Sequence, residues 1–339
     1  MTQKSPYHFC TLFDKGFLLK GVALHESLVK HAENFTLWIL CMDTETRTTL
    51  EKLNLENVLL LSLQDIETEA VLNAKKTRNN REYCWTLSSV LTLYVMERND
   101  IESIAYLDAD TYFFSSPETI YKEFENHSIL IIPHRLFWTR KDKEKEVGKY
   151  NVSLPIFRKD ENGLACLHWW QDRCLEWCFD RIEPNRYGDQ KYLDFFEEKF
   201  MGVHPLQNEG ANVATWNMEG KEVTKKNGVV YIGDTPLIFF HYSGFVLYPP
   251  TPLLPYGPDI FHKYTKTSPA KDLIYRPYAK TLYRILDQIR HVDPQWSHGL
   301  TPRPPLKKSL REFWHNTFHY PSRRATKKLL SPIIKMIQS

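Results

Sequence analysis

The sequence predicts an α/β protein with a mostly parallel sheet flanked by helices. Apolar runs of strand length alternate with helical patterns through the first half of the chain, which is typical of such sheets. With 339 residues, 42% of them hydrophobic, the chain can bury one large core or two moderate ones. No glycine-rich phosphate loop follows the first strand, where the sequence is Phe13-Asp14-Lys15-Gly16. Within this class, a nicotinamide-dependent enzyme or a P-loop nucleotidase is therefore disfavoured.

The first half of the chain alternates predicted strands with predicted helices. The strands are Tyr7–Phe13, Phe35–Met42, Val58–Leu63 and Ile104–Leu107, and the helices are Gly16–Lys30, Thr44–Leu53 and Thr86–Arg98. The first helix has Phe17, Gly21, Leu24 and Leu28 at helical spacing. Thr44 is the predicted N-cap of the second helix. Because ligands of open α/β sheets lie beyond the carboxyl ends of the strands, we expect the site near residues 11–14 and 108–110.

The second half is less regular. We predict strands at Ser128–Pro133 and Leu237–Tyr242 and helices at Gly163–Phe179, Gln190–Lys199 and Ala270–Arg290. The charged run over residues 139–149 predicts an exposed helix or loop, and a mobile flap beside the cleft is the alternative. The proline-dense segment Tyr248–Pro258 is expected to be extended. We divide the chain into an α/β domain over residues 1–265 and a helical C-terminal extension over residues 266–339.

Composition limits the class of partner and the compartment. The formal charge of +3 gives no support to a nucleic-acid surface. The six cysteines form no zinc-type pair, and Cys174 and Cys178 are expected to pack as small apolar groups on a helix, which favours a reducing compartment. Residues 1–7 are polar and lack an apolar signal core, and no apolar run reaches transmembrane length. We therefore expect a cytoplasmic protein, soluble or peripheral.

Two carboxylates end the fourth predicted strand. Asp108 and Asp110 follow the apolar run Ile104–Leu107 and are one residue apart. Hard divalent cations such as Mg²⁺ and Mn²⁺ prefer oxygen ligands of this kind and keep open positions for substrate phosphates. A solvated acidic loop is the alternative, because short acidic patterns are common. The strand that precedes the pair favours a metal site.

His241 is a third candidate metal ligand. It ends the separate apolar segment Leu237–Tyr242, and an imidazole beside carboxylates suits Mn²⁺. The alternative is a histidine that only forms a hydrogen bond at a strand end. Gly244 follows closely and would let the backbone approach a phosphate.

Three motifs together resemble a known group of enzymes. The segments YLDADTYFFSSPE, YGDQKYLDFF and FFHYSGF, with Asn151 between the first two, are similar to the nucleotide-sugar-dependent glycosyltransferases of the GT-A fold. Family 8 of the glycosyltransferases and neighbouring bacterial families are the nearest in pattern. The resemblance spans roughly residues 6–247. It implies a GT-A-like sheet and a transferase that moves a sugar from a nucleoside-diphosphate sugar to a glycan or lipid-linked acceptor.

The resemblance also implies roles for individual residues. Asp108, Asp110 and His241 would hold Mn²⁺ or Mg²⁺ against the two phosphates of the donor, as a Lewis acid. The donor side would comprise Thr11, Phe13, Arg78, Arg81, Trp85, Ala109 and Gly244. The catalytic pair would be Asp189 and Gln190, and the acceptor side would comprise Asn151, Asn212 and Trp216. The motif set favours retention of anomeric configuration and a role in bacterial surface polysaccharide synthesis.

Several of these residues have plainer interpretations. Asp189 precedes a predicted helix and could serve as its N-cap. Trp85 and Trp216 could belong to the core, and Arg78 and Arg81 could be ordinary surface residues.

Two other classes of protein stay open. A haloacid-dehalogenase-type phosphohydrolase also ends a strand in two aspartates, but that pattern has Thr or Val where this chain has Tyr112. A non-catalytic scaffold that binds nucleotide sugars is the second alternative. Transfer or hydrolysis from a panel of nucleotide sugars would separate these classes.

The C-terminal tail suggests a membrane contact. Within Ser322–Ser339, the residues Arg323, Arg324, Lys327 and Lys328 precede an apolar stripe that begins at Leu329. Basic residues beside such a stripe fit a peripheral contact with the inner face of the membrane. A helix that packs on its own domain would have a similar pattern, so both interpretations stay open.

Overall fold

A computed structural model describes residues 6–250 and 268–302 of the chain. Its strands are β1 (Tyr7–Phe13), β2 (Phe35–Cys41), β3 (Val58–Ser62), β4 (Ser103–Tyr106), β5 (Thr111–Phe113), β6 (Ile129–Pro133), β7 (Tyr150–Arg158), β8 (Val203–Pro205), β9 (Val223–Lys226), β10 (Val229–Ile232), β11 (Thr235–Pro236) and β12 (Phe239–His241). Its α-helices are α1 (Leu18–His31), α2 (Thr44–Leu53), α3 (Leu63–Ile66), α4 (Glu69–Lys75), α5 (Asn80–Arg98), α6 (Glu118–Phe124), α7 (Glu144–Val147), α8 (Glu161–Glu176), α9 (Phe196–Lys199), α10 (Ser268–Ala270) and α11 (Arg276–Val292). Short 3₁₀ helices at Trp138–Lys143 and Lys191–Phe195 precede α7 and α9, and a π-helical turn at Lys271–Tyr275 joins α10 to α11.

Seven strands form the main sheet in the order β3-β2-β1-β4-β7-β6-β8. β1 runs parallel to β2 and β4, and β2 runs parallel to β3, whereas β7 is antiparallel to both β4 and β6. The predicted mostly parallel sheet flanked by helices is confirmed. Because β1 and β4 point the same way, their carboxyl ends at Phe13 and Tyr106 lie at one edge of the sheet.

The two faces of the sheet carry separate hydrophobic cores. Along β1, Phe9 and Phe13 belong to the core that also contains the buried residues of α1 and α11, whereas Cys10 and Leu12 belong to the core under α5 and α8. This division follows from the alternation of side chains along a strand. Helices therefore cover both faces, and the carboxyl edge of the strands is where a ligand of such a sheet is expected.

The described part of the C-terminal extension packs on the first of these cores. Tyr278 of α11 stacks on Tyr242 with ring centroids 3.7 Å apart, and the Tyr242 hydroxyl donates to the carbonyl of Ile274 at 2.9 Å. Tyr242 directly follows His241, so α11 supports the strand that carries this histidine.

A small two-stranded sheet connects distant parts of the chain. β12 pairs antiparallel with β5, and the register places His241 opposite Thr111. The backbone N–H of Tyr242 donates to the carbonyl of Asp110 at 2.8 Å, which extends this pairing. Residues 130 positions apart in sequence are thereby fixed side by side through backbone hydrogen bonds.

Some predicted element boundaries are corrected by the structure. The N-cap of α2 is Asp43, whose carboxylate accepts from the Thr46 N–H at 2.7 Å, and Thr44 is the first helical residue instead. The helix predicted from Thr86 begins at Asn80, because Asn79 and Glu82 form a capping box. The helix predicted over 190–199 is a 3₁₀ helix followed by the single turn α9.

The described residues bear on two further predictions. The cysteines are free, and Cys174 and Cys178 are buried as predicted, although Cys178 lies beyond the end of α8. Within residues 6–250 and 268–302, no helix has both the length and the apolar character needed to cross a bilayer. The tail Ser322–Ser339 and most of Tyr248–Pro258 lie outside the described residues.

Candidate active site

Asp108 and Asp110 lie in a turn at the carboxyl end of β4. The N–H of Leu107 still donates to the Cys10 carbonyl of β1 at 2.8 Å, after which the chain turns. The N–H and hydroxyl of Thr111 both donate to the Asp108 carbonyl, at 3.1 and 2.8 Å. This turn holds the two carboxylates close together at the edge that the parallel strands define.

His241 completes a cluster with these carboxylates. Its Nε2 lies 3.2 Å from Asp110 Oδ1 and 3.6 Å from Asp108 Oδ2, and one ligand atom of each residue lies within 4.8 Å of the others. We call these three residues the Asp–Asp–His cluster. The structure thus brings together the residues that the sequence nominated as metal ligands.

Asn212 orients the imidazole of His241. The side-chain oxygen of Asn212 lies 3.4 Å from Nδ1, and an amide oxygen can only accept a hydrogen bond. Nδ1 therefore donates to Asn212, and Nε2 is the nitrogen that faces the carboxylates, where loss of its proton would free a lone pair for a cation. Such outer contacts are typical of histidine metal ligands.

The cluster is electrostatically uneven. Burial disfavours the charged form of Asp110, but His241 and then Lys20 outweigh burial and lower the pKa of Asp110 to about 2. Burial raises the pKa of Asp108 to about 6, with His241 opposing and Asp110 adding to the shift. The pKa of His241 is raised because the two carboxylates outweigh its own burial. Asp110 is thus the firmly ionised member of the pair.

Lys20 adds a positive charge beside the cluster. It lies in the first turn of α1, and its Nζ is 3.7 Å from Asp110 Oδ2 and 4.2 Å from the centre of the Phe17 ring. Only 13% of its side chain is exposed. Sequence reasoning missed this residue, although its position just after β1 is the position at which cleft residues are expected.

Asp189 is a second buried acid near the cluster. Its Oδ2 accepts from the Ser88 hydroxyl at 2.7 Å, and its backbone carbonyl accepts from the Trp170 indole at 2.9 Å. Burial raises the pKa of Asp189 to about 7, and the charge of Asp108 adds to this shift. The 3₁₀ helix that follows has Gln190 at its start and no side-chain cap, so the helix-cap interpretation of Asp189 is corrected.

Gln190 belongs to a chain of side-chain hydrogen bonds. Its Oε1 accepts from Asn151 Nδ2 at 2.9 Å, and its Nε2 donates to the Val147 carbonyl at 2.7 Å. Asn151 Nδ2 also lies 3.3 Å from Nε2 of His134, whose Nδ1 faces the Gly148 carbonyl at 3.0 Å. We call His134, Asn151 and Gln190 the amide network. It ties the catalytic candidate Gln190 to the turn that ends α7.

His134 was also missed by sequence reasoning. It directly follows β6, so the rule that ligands lie beyond strand ends could have nominated it. Burial, helped by the positive charge of nearby His241, outweighs the hydrogen bond to Gly148 and lowers the pKa of His134 to about 4. The ring is therefore neutral at pH 7, with its proton directed at the Gly148 carbonyl.

A cleft of about 1020 Å³ contains both sets of residues. Among the residues nominated from the sequence, those that line it are Phe13, Arg81, Trp85, Asp108, Ala109, Asp110, Asn151, Asp189, Gln190, Trp216, His241 and Gly244. Arg140 and Lys143 from the charged run line it as well. Gly244 has a φ of 72°, a conformation in which a side chain would be strained.

Both tryptophans stand in the cleft wall. Trp85 packs at 6.0 Å against Tyr187, and Trp216 meets the His241 ring edge-to-face at 5.2 Å. Arg81 is exposed at the rim and pairs with Asp180 at 2.8 Å. Trp85 also packs against the core under α5 and α8, so its core interpretation holds alongside its place in the cleft lining, whereas Trp216 is half-buried in the cleft wall.

Three nominated residues lie elsewhere. Thr11 is fully buried between strands, on the same face as Phe9 and Phe13. Arg78 donates to the carbonyls of Cys174 and Leu175, at 3.3 and 3.0 Å, and so caps the end of α8. Asn212 is fully buried behind His241. None of the three lines the cleft, and their roles toward the donor and the acceptor stay predictions.

Comparison with known proteins identifies relatives of this chain. YfnD of Bacillus subtilis strain 168 is 32% identical over 302 residues, which cover 88% of this chain and 96% of YfnD. YfnF of the same organism is 31% identical over 297 residues, which cover 85% of this chain and 96% of YfnF. This chain belongs to the family of YfnD and YfnF. Both relatives are described as uncharacterized proteins, and no family model matches the chain.

Comparison with solved structures shows the fold of this chain. The chain is similar to the galactosyltransferase LgtC, solved in complex with donor and acceptor sugar analogues, with a TM-score of 0.52 and 12% identity. The alignment covers 82% of this chain and 95% of LgtC, and an active-site mutant of LgtC gives a TM-score of 0.51. The GT-A fold predicted from the sequence motifs is confirmed.

Proposed function

We propose that this protein is a metal-dependent glycosyltransferase that uses a nucleoside-diphosphate sugar as donor. The observation that carries the proposal is the convergence of Asp108, Asp110 and His241 in a cleft at the carboxyl edge of the sheet. The fold shared with LgtC, which binds donor and acceptor sugar analogues, supports it. Asp189 and Gln190 in the same cleft supply polar groups suited to a sugar.

The cluster fits a divalent cation such as Mn²⁺ or Mg²⁺. Its donor set is two carboxylates and an imidazole whose tautomer is fixed by Asn212. A cation at this site would neutralise the diphosphate and stabilise the charge that develops as it leaves. Binding a cation also displaces the proton that the carboxylates hold on His241, so occupancy should rise with pH.

The polar wall of the cleft would orient the donor sugar. Asp189, with its pKa raised to about 7, can accept a hydrogen bond from a sugar hydroxyl or, when protonated, donate one. Gln190 is neutral and fixed at both ends by Asn151 and Val147. An amide oxygen is a poor base but can stabilise positive charge on an anomeric carbon. This chemistry favours retention of configuration, with the departing phosphate accepting the proton of the acceptor.

The acceptor would enter past Trp216 and Asn151. Trp216 stands at right angles to the rings of both His134 and His241, at 5.9 and 5.2 Å, and offers an aromatic surface in the cleft lining. Aromatic rings pack well on the apolar faces of sugars. We propose a glycan or lipid-linked acceptor and a role in surface polysaccharide synthesis in the bacterial cytoplasm.

A binding screen tests the proposal directly. The purified full chain is heated with UDP, GDP, CDP and dTDP sugars, each with and without Mn²⁺. A donor present at about 100 times its Kd should stabilise the protein by about 2.7 kcal/mol, and only when Mn²⁺ is present. Mass spectrometry of products with a glycan panel then separates transfer from hydrolysis. Release of phosphate from simple phosphate esters, without response to any nucleotide sugar, would favour a phosphohydrolase instead.

A further inference from the structure

We propose that Lys20 binds the diphosphate of the donor and of the leaving nucleoside diphosphate. This inference rests on the proposed function and assigns a binding residue on α1 to it. The observation behind it is the position of the Lys20 ammonium group, beside Asp110 and in the lining of the same cleft.

The placement of Lys20 is built into the fold. β1 ends at Phe13, and α1 begins at Leu18, so the first turn of the helix stands at the carboxyl edge of the sheet. The Asp14 carboxylate holds the connection through the N–H groups of Gly16 and Phe17, at 2.9 and 3.2 Å. Lys20 is thereby directed into the cleft, with its ammonium group over the Phe17 ring.

The negative charge of the site with its donor bound requires a positively charged side chain in addition to the metal ion. Asp108 and Asp110 together cancel the charge of one divalent ion, which leaves the two negative charges of a sugar-linked diphosphate without a counterpart. When the sugar leaves, the nucleoside diphosphate gains another negative charge. Lys20 supplies a positive charge within 3.7 Å of the cluster, in a buried setting where such a charge acts strongly.

The segment of the cleft lining that follows His241 does not supply this charge. Residues 243–247, which follow His241 and line the cleft, are Ser, Gly, Phe, Val and Leu. Arg81 is exposed at the rim and paired with Asp180. Arg140 and Lys143 belong to the 3₁₀ helix Trp138–Lys143. Lys20, by contrast, forms an ion pair with a carboxylate of the cluster.

The plainer role for Lys20 is an ion pair that only positions Asp110. The two roles differ in what they predict for the metal. A positioning partner of Asp110 would help to bind Mn²⁺, whereas a diphosphate ligand repels the bare ion slightly and attracts the phosphates. Measuring metal and nucleotide affinities separately therefore distinguishes them.

The test compares Lys20→Met and Lys20→Arg with the wild-type chain. Methionine keeps the aliphatic length, and arginine keeps the charge. Lys30→Met, an exposed site on the same helix, is the matched control. The wild-type chain is first screened by calorimetry with UDP, GDP, CDP and dTDP in the presence of Mn²⁺. For each chain, calorimetry then gives the Kd of Mn²⁺ alone and the Kd of the nucleotide that the wild type binds.

We expect Lys20→Met to weaken nucleoside diphosphate binding by about tenfold to a hundredfold, while Mn²⁺ alone binds as well as before or better. The loss should be larger for the diphosphate than for its sugar-linked form, because the former carries more charge. Lys20→Arg should retain most of the affinity, and Lys30→Met all of it.

Two results would overturn the role of Lys20 and leave the proposed function standing. They are an unchanged diphosphate affinity in Lys20→Met, or a parallel loss of Mn²⁺ and diphosphate affinity. A wild-type chain that binds none of the four nucleotides with Mn²⁺ would overturn the proposed function as well.

Discussion

The Asp–Asp–His cluster and the amide network line one cleft but are held by different interactions. The cluster is placed by backbone hydrogen bonds, through the turn after β4 and the pairing of β12 with β5. The amide network is placed by side chains that bond to one another and to the backbone at Val147 and Gly148. The backbone positions of the cluster residues should therefore depend little on neighbouring side chains, whereas the network should respond to the loss of any one member.

The largest expected effect is on the cluster. Asp110→Asn removes the charge of the most firmly ionised ligand while keeping its shape. We expect Mn²⁺ binding to be lost and turnover to fall by at least about 10²–10³-fold, with the fold intact by circular dichroism. Asp142→Asn, on the exposed charged run, is the control. Near-normal turnover of Asp110→Asn would refute the metal assignment.

The amide network should make folding stability sensitive to acid. His134 has a pKa of about 4 in the folded chain, against about 6.5 when unfolded. Below pH 6.5 His134 is protonated in the unfolded chain but stays neutral in the folded chain. The contribution of His134 to the free energy of unfolding is therefore fully present above pH 6.5 and is lost as the pH falls toward 4. The contribution is on the order of 3 kcal/mol.

Urea unfolding at several pH values measures this contribution. His134→Gln should flatten the dependence of the unfolding free energy on pH between 6.5 and 4, relative to the wild type. Other groups titrate in this window, so the difference between the two chains is the quantity to compare. The exposed His168→Gln serves as the control. Equal slopes for wild type and His134→Gln would contradict the placement of a neutral His134 in the network.

A smaller effect is expected behind the cluster, where Asn212 meets His241. Asn212→Gly removes the side-chain oxygen but suits the backbone, since φ at this position is 56°. Loss of such an outer contact should weaken Mn²⁺ binding by about 10–100-fold. The same change at exposed Asn185, with a φ of 66°, controls for backbone effects. If both variants bind Mn²⁺ equally well, Asn212 does not orient the ligand.

The smallest expected effect distinguishes the amide network from the Asp–Asp–His cluster. Asn151→Ala leaves Gln190 and His134 without their shared partner, at a cost of about 1–3 kcal/mol. Turnover should fall by about tenfold or more, whereas the Kd of Mn²⁺ stays that of the wild type. Asn73→Ala, at an exposed site on α4, is the surface control. A matching loss of Mn²⁺ affinity would show that the cluster and the network are one cooperative unit.

Much of the fold and part of the cleft follow from local patterns. β1 has the bounds that its apolar run predicts, and the two aspartates lie at a strand end as expected. The early start of α5 was also available in the sequence, because Asn79 and Glu82 have the spacing of a capping box. Local signals of this kind depend on neighbours within a few residues, which a single sequence contains.

Contacts between distant segments could not be predicted from such local patterns. The side chain of Thr11 could not be assigned to the core, nor Arg78 to the end of α8, because both placements depend on how sheet and helices pack. Lys20 and His134 carry no motif, and only the assembled sheet edge brings them beside Asp110 and Asn151.

The sequence by itself determined the alternation of strands and helices, the acidic pair after β4 and the motifs of a GT-A protein. These features are determined within short stretches of chain, because side-chain periodicity and turn chemistry act locally. The tertiary structure alone decided that His241 meets the acidic pair through β12 and β5, that Asn212 stands behind it, and that Lys20 points at Asp110. These contacts join segments far apart in sequence, and their distances are fixed only when the sheet and its two cores are packed.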